Sequence, residues 1–214
     1  MPSPASSVTP PYPVHLPCLE HLEASVLVLH GYASHAEANR RDGATFVDAR
    51  TEVIGVDAPG HGHRSDGRLE HQARLDDEAR RQAIYDIAGE WATELPAIVE
   101  DCRQRGARQV GVVGISMGGL TALRSLHAPS SFDAVAAVLA SPVLVDPDRL
   151  TPSDPPLLIG IAGRDEAVPP EPCRRFARSY GATLLEYPDS GHLMRGEDWH
   201  DLWSRVGDFL RRHL

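Results

Sequence analysis

Cysteine is scarce in this chain: Cys18, Cys102 and Cys173 are its only three. An odd count at wide, irregular spacing makes no disulfide framework, and no Cys-x-x-Cys pair offers a zinc site. Reduced thiols in a cytoplasmic protein are the expectation. Long apolar runs are lacking as well. None approaches the roughly 20 residues that span a bilayer. The opening stretch 1–15 (MPSPASSVTPPYPVH) has no basic end followed by an apolar block, so it is not an export signal but a frayed arm. Positive charge is in deficit, with a formal net charge of −9. That balance argues against a nucleic-acid partner and gives little attraction to anionic membranes. There is no internal repeat, and no Walker or GxGxxG turn for a nucleotide.

What is present suits a single globular domain. The 214 residues are enough for one sizeable core, and a hydrophobic content of 42% disfavours disorder. Short Val/Leu/Ile runs alternate with longer amphipathic stretches. Strands are expected at Ala24–His30, Glu52–Asp57, Gln109–Ile115, Ala134–Ala140, Leu157–Ala162 and Thr183–Tyr187. Helices are expected at Glu37–Asp48, Asp77–Arg105, Met117–Leu126, Glu171–Tyr180 and Trp199–Leu214, with Pro96 kinking or dividing the second. Residues 58–77 read as a polar loop. Near-continuous apolar strands separated by helices predict an α/β fold with a mostly parallel sheet covered on both faces. In such sheets the chemistry sits in loops at the carboxyl ends of strands.

Four strand ends carry polar residues of that kind. The third strand runs into Gly114-Ile115-Ser116-Met117-Gly118-Gly119. A serine hydroxyl is a poor nucleophile without a base and an oxyanion site. A sharp strand-to-helix turn exposes it and aims the Met117 N–H at the developing charge, with Gly114, Gly118 and Gly119 giving the turn room. The bland alternative is a glycine turn that only packs a helix on a sheet. The first strand ends in His30-Gly31-Tyr32, where a bend at Gly31 would aim the Tyr32 N–H inward as a second donor; alone, His-Gly is an ordinary strand ending. Asp165 follows the fifth strand and can orient a histidine, or merely cap a helix or pair with Arg164, and Glu166 and Asp189 are rival acids. His192, one of 11 histidines, follows the last strand and Gly191; a surface turn is its bland reading. The chain order Ser, Asp, His over separate strand ends is what joins these signals.

With LVLHGY, GVDAPGHGHRS, GISMGG, AGRDEAVP and DSGHL in view, the chain resembles the α/β-hydrolase superfamily from residue 24 onward. It is most similar to small lidless serine esterases related to dienelactone hydrolases, although true dienelactone hydrolases have cysteine where Ser116 stands. The resemblance implies an α/β-hydrolase domain over 24–214, preceded by an arm over 1–23 with room for a short strand. It implies Ser116 as nucleophile, His192 as base, Asp165 as orienter and Tyr32 and Met117 as oxyanion donors. No cofactor and no metal are required, and the partner is a small-molecule ester-like substrate. The Pro-rich connection over 142–156 leaves no space for a helical lid, which favours short acyl chains. Thioester, lactone or amide cleavage, and a non-catalytic binding protein of the same fold, remain open, as does oligomeric state. The loop over 60–77 holds His61, His63, Arg64, Arg68, His71 and Arg74. A solvated loop is its plainest reading; a positive patch for anionic substrates and a His61-x-His63 metal site are the others.

Overall fold

The computed structural model describes residues 12–128, 132–151 and 155–214. Seven strands form one sheet: β1 (Val14–Leu16), β2 (Ala24–Leu29), β3 (Thr51–Val56), β4 (Gln109–Ile115), β5 (Ala134–Val138), β6 (Leu157–Ala162) and β7 (Thr183–Tyr187). Their order is β1-β3-β2-β4-β5-β6-β7, and only the edge strand β1 runs antiparallel to its neighbour. The short strand expected within the N-terminal arm is β1; residues 1–11 of that arm lie outside the described residues.

Alternation along each strand divides the core in two, because successive side chains leave opposite faces. Leu27, Leu29, Ile54, Val112, Val135 and Ile159 face one side, where they pack with Trp91. Val26, Val28, Val53, Val113, Ala136 and Leu158 face the other, where they pack with Trp203. Three helices cover the first side: α3 (Asp77–Gln104), α4 (Met117–Arg124) and α5 (Pro170–Tyr180). The second side is covered by α6 (Gly196–His213), whose Trp203 indole donates to the Asp42 carbonyl at 2.7 Å. Both faces being covered explains why the strands read as unbroken apolar runs.

Three sequence expectations are corrected. Pro96 does not divide α3. It points to solvent, while Trp91 and Leu95 before it and Ile98 and Val99 after it are buried on the sheet, so packing on both sides outweighs one lost backbone bond. The helix expected over Glu37–Asp48 is three short turns: a 3-10 turn at Ala36–Asn39, α1 (Arg40–Gly43) and a second 3-10 turn at Ala44–Phe46. Only Ala36, Gly43 and Phe46 are buried there, too few for a continuous apolar stripe. The polar stretch 58–77 contains a 3-10 turn at Gly62–Arg64 and the short helix α2 (Arg68–Gln72). Between β5 and β6 the described residues form two 3-10 turns, Pro142–Leu144 and Pro147–Arg149, and no helical lid; 152–154 lie outside the described residues. No helix among the described residues is long and apolar enough to cross a membrane.

At the amino ends of β2 and β3 an ionic knot around buried Glu52 ties β1, β2, β3 and the end of α3 together. Arg105 Nη1 donates to both Glu52 carboxylate oxygens at 2.7 Å, Ser25 Oγ donates to Glu52 Oε1 at 2.7 Å, and His15 Nε2 lies 2.7 Å from Glu52 Oε2. Burial alone would raise the Glu52 pKa, but the bonds from Ser25, Arg105 and His15 outweigh it and hold it below the usual carboxylate range. A folded-state pKa below the unfolded one stabilises the fold above the unfolded value, and that contribution is lost as pH falls through the folded value. Glu52→Gln should therefore cost about 2 kcal/mol in urea unfolding at neutral pH. The gap to wild type should shrink below about pH 4. Equal stability at neutral pH would show that the knot contributes nothing.

Candidate active site

Ser116 sits between β4 and α4 with φ 51° and ψ −110°, a conformation an L-residue adopts only when its surroundings enforce it. Its own N–H donates to the Val138 carbonyl of β5 at 2.8 Å, and the Gly118 N–H donates to the His30 carbonyl beyond β2 at 3.1 Å. Space is the second constraint. A Cβ at Gly114 would run into the Gly118 carbonyl, and one at Gly118 into the Leu29 carbonyl. A Cβ at Gly119 would run into the Ala140 methyl group. The glycines read from the sequence as giving room thus do so by admitting backbone at 114 and 118 and a side-chain methyl at 119.

Ser116 Oγ lies 3.1 Å from His192 Nε2, and His192 Nδ1 lies 2.8 Å from Asp165 Oδ2. A carboxylate only accepts, so Nδ1 carries the proton and Nε2 is left to accept from the serine hydroxyl. Asp165 is buried, and its other oxygen accepts the Ala167 and Val168 N–H groups at 2.9 and 2.8 Å. Those bonds fix the carboxylate in place. The rival acids stand apart from this line: Asp189 pairs with Arg164, and Glu166 lines the cleft without joining the histidine. The loop bearing His192 is pinned from below, where buried Ser190 donates to Asp198 at 2.6 Å and accepts from the Arg195 N–H at 3.3 Å.

Tyr32 and Met117 both line the same cleft as Ser116 and His192, and among the described residues neither backbone N–H has an acceptor. A Cβ placed on Gly31 would stand 3.7 Å from the Ser116 Cβ. The chain turns over residues 31–34, with a positive φ of 55° at Ala33. Ala33, Ser116 and Leu139 are the three non-glycine residues of positive φ among those described; two line the cleft and the third lies between the lining residues Tyr32 and Ser34.

The cleft encloses about 850 Å³ over the carboxyl ends of the strands. It straddles the sheet. Ile84, Tyr85 and Val168 belong to the side of α3, and Ile115, Met194 and Trp199 to the side of α6. The α3 contribution (Arg81, Ile84 and Tyr85, three and four residues apart on one helix face) went unread in the sequence, where only the buried stripe was sought. The histidine-rich loop departs most from expectation. His61 is fully buried rather than solvated. Its Nε2 accepts the Ala33 N–H at 3.3 Å, and Nδ1 lies 3.0 Å from the Pro59 carbonyl. His63 faces Asp57, and no group of three His, Cys, Asp or Glu suited to a metal occurs among the described residues. Arg64 forms a two-pronged pair with Glu94, and Arg68 is held by Asp66 and Glu90, so neither offers free charge to the cleft.

With this geometry in hand the family can be assigned. A family profile described as serine aminopeptidase, S33, matches residues 20–155, well over half of the chain. The chain belongs to this hydrolase family. Solved structures agree in fold. Esterase PE8 superposes with a TM-score of 0.71 at 23% identity, covering 94% of this chain and 98% of that one. Est1E from Butyrivibrio proteoclasticus, with ferulic acid bound, gives 0.70 at 18% identity and covers 90% of each chain. Acyl-protein thioesterase 2 from Zea mays gives 0.61 at 15%, covering 92% of this chain and 98% of that one. The fold of this family member is therefore the α/β-hydrolase fold. A search of curated protein sequences finds no match.

The crowding at the Ser116 turn makes a direct prediction. Gly118→Ala should lower stability by about 2 kcal/mol in chemical denaturation, because rigid carbonyls must move to admit one methyl. An unchanged midpoint would mean that the turn is looser than its contacts indicate.

Proposed function

We propose that the protein is a serine hydrolase that cleaves small, soluble carboxylic esters through an acyl-enzyme. The observation that carries this reading is the line Ser116–His192–Asp165, joined at 3.1 and 2.8 Å and opening into the 850 Å³ cleft. In the first step Ser116 Oγ attacks the ester carbonyl while its proton passes to His192 Nε2. Asp165 stabilises the imidazolium through Nδ1–H. The carbonyl oxygen becomes an anion facing the Tyr32 and Met117 N–H groups, which have no acceptor among the described residues to give up. Collapse expels the alcohol, which takes the proton from His192, and leaves an acyl group on Ser116. A water molecule then gives its proton to His192 and attacks the acyl carbon; the acid departs and the serine regains its hydrogen.

The strained φ of Ser116 supports a nucleophile, since backbone strain of this kind clusters at reacting groups. Esterases and a thioesterase among the structural neighbours support acyl transfer, and the bound ferulic acid of one of them is compatible with a small organic acid as product. The three free cysteines support a reducing compartment such as the cytoplasm. The mechanism calls for no cofactor.

The test is a substrate panel of para-nitrophenyl esters of rising chain length, a thioester, a lactone and aminoacyl anilides, the last because the family's description is that of an aminopeptidase. Acetyl and butyryl esters should be turned over fastest. Ser116→Ala should lower kcat a thousandfold or more, and Asp165→Asn by roughly 10⁴ with KM little changed. Wild-type activity surviving in Ser116→Ala would remove the serine from the chemistry, and faster turnover of palmitoyl than butyryl ester would contradict the short-chain preference.

A further inference from the structure

His61 forms its bonds where the turn after β2 meets the segment after β3. Residues 31–34 form a tight turn closed by the Ser34 N–H donating to the Gly31 carbonyl at 3.2 Å. Its third residue, Ala33, takes φ 55°, a position that glycine or asparagine usually fills. Alanine has no intrinsic preference for that conformation, so something outside the turn must hold it. Its N–H, which the turn itself leaves unbonded, donates to His61 Nε2. His61 has nowhere else to go. It is wholly buried, its Nδ1 faces the Pro59 carbonyl, and its ring sits 5.8 Å edge-on from the Tyr32 ring and 5.3 Å from the His30 ring. The opposing bond is made by His30, whose Nε2 accepts the Ala58 N–H at 3.0 Å, while Asp57 Oδ1 accepts the Ala36 N–H at 2.7 Å.

We propose that His61 is a positioning residue for the oxyanion site: by accepting the Ala33 N–H and flanking the Tyr32 ring, it fixes the turn that aims the Tyr32 N–H at the substrate oxygen. The proposal rests on the reading of Ser116 and Tyr32 given above and extends it to a residue that touches neither substrate nor Ser116. It accounts for a histidine, rather than an apolar residue, in a fully buried place: the site needs an acceptor on one ring nitrogen and a donor on the other, and neutral imidazole supplies both. The neighbouring Gly62, at φ 51°, admits no side chain, since a Cβ there would occupy the place of the Asp57 carboxylate that ties down Ala36.

The test uses two variants of the full chain. His61→Phe keeps a ring in the space but has no acceptor; His61→Gln keeps an acceptor at the Nε2 position. Three quantities are read: ester kinetics, the rate at which a fluorophosphonate labels Ser116, and amide exchange at Ala33. The Phe variant should lose about 10- to 100-fold in kcat and in labelling rate with KM within about twofold, because the donor is displaced and binding is not. Its Ala33 amide should exchange faster. The Gln variant should recover most of both. Equal labelling and equal kcat in wild type and the Phe variant, with wild type reactive, would overturn the role of His61 alone. A wild type that neither labels nor turns over ester would overturn the Ser116 reading, and this inference with it. Should the Phe variant fail to fold, His61→Leu carries the same comparison, and a Gln variant as impaired as Leu would refute the acceptor's part.

Discussion

The structure turns on one constraint: Ser116 must be held at positive φ between β4 and α4. Left alone, such a residue relaxes at a gain of about 1–3 kcal/mol. Here it is clamped from both sides. The strand to one side, β5, accepts the Ser116 N–H through Val138, and the end of β2 on the other accepts the Gly118 N–H through His30. Parallel pairing of β2, β4 and β5 is thus the means by which the sheet holds Ser116, and the glycines at 114, 118 and 119 are the sites where that clamp lets no Cβ in.

The remaining polar groups are delivered to that point by unequal means. Asp165 is fixed by two backbone N–H groups of its own loop, a local arrangement that needs no distant partner. His192 depends on a loop pinned by Ser190 to α6, so its aim depends on the docking of the last helix. The turn at 31–34 is closed by one backbone bond, and its Ala33 N–H and the Ala36 N–H just beyond it bond His61 and Asp57 from the segment after β3. These three supports lie on different elements of the fold.

Much of this was legible in the sequence, for a physical reason. Strands buried on both faces leave unbroken runs such as QVGVVGI and LLIGIA, and the structure begins and ends β4 and β6 on the residues expected from the runs. Ser116, Asp165 and His192 were legible because each follows such a run. The segment 58–77 was not. A fully buried histidine and a solvated one look alike in sequence, and sequence could not show that Arg64 and Arg68 are matched by Glu94, Asp66 and Glu90, two of which lie more than twenty residues away. The cleft wall formed by Arg81, Ile84 and Tyr85 was hidden for a related reason, since helical periodicity reports the face packed on the sheet and says little about which turn overhangs a strand end.

The central claim is that a hydroxyl, an imidazole and a carboxylate remote in the chain act as one proton-passing unit. Mass spectrometry of protein quenched in acid during turnover of para-nitrophenyl acetate, followed by peptide mapping, tests it most directly. An acetyl group on the peptide that carries Ser116, absent from Ser116→Ala and greatly reduced in a His192→Ala variant, is the result the account predicts. Turnover with no acyl adduct at that serine, or an adduct that forms as readily without the histidine, would contradict it.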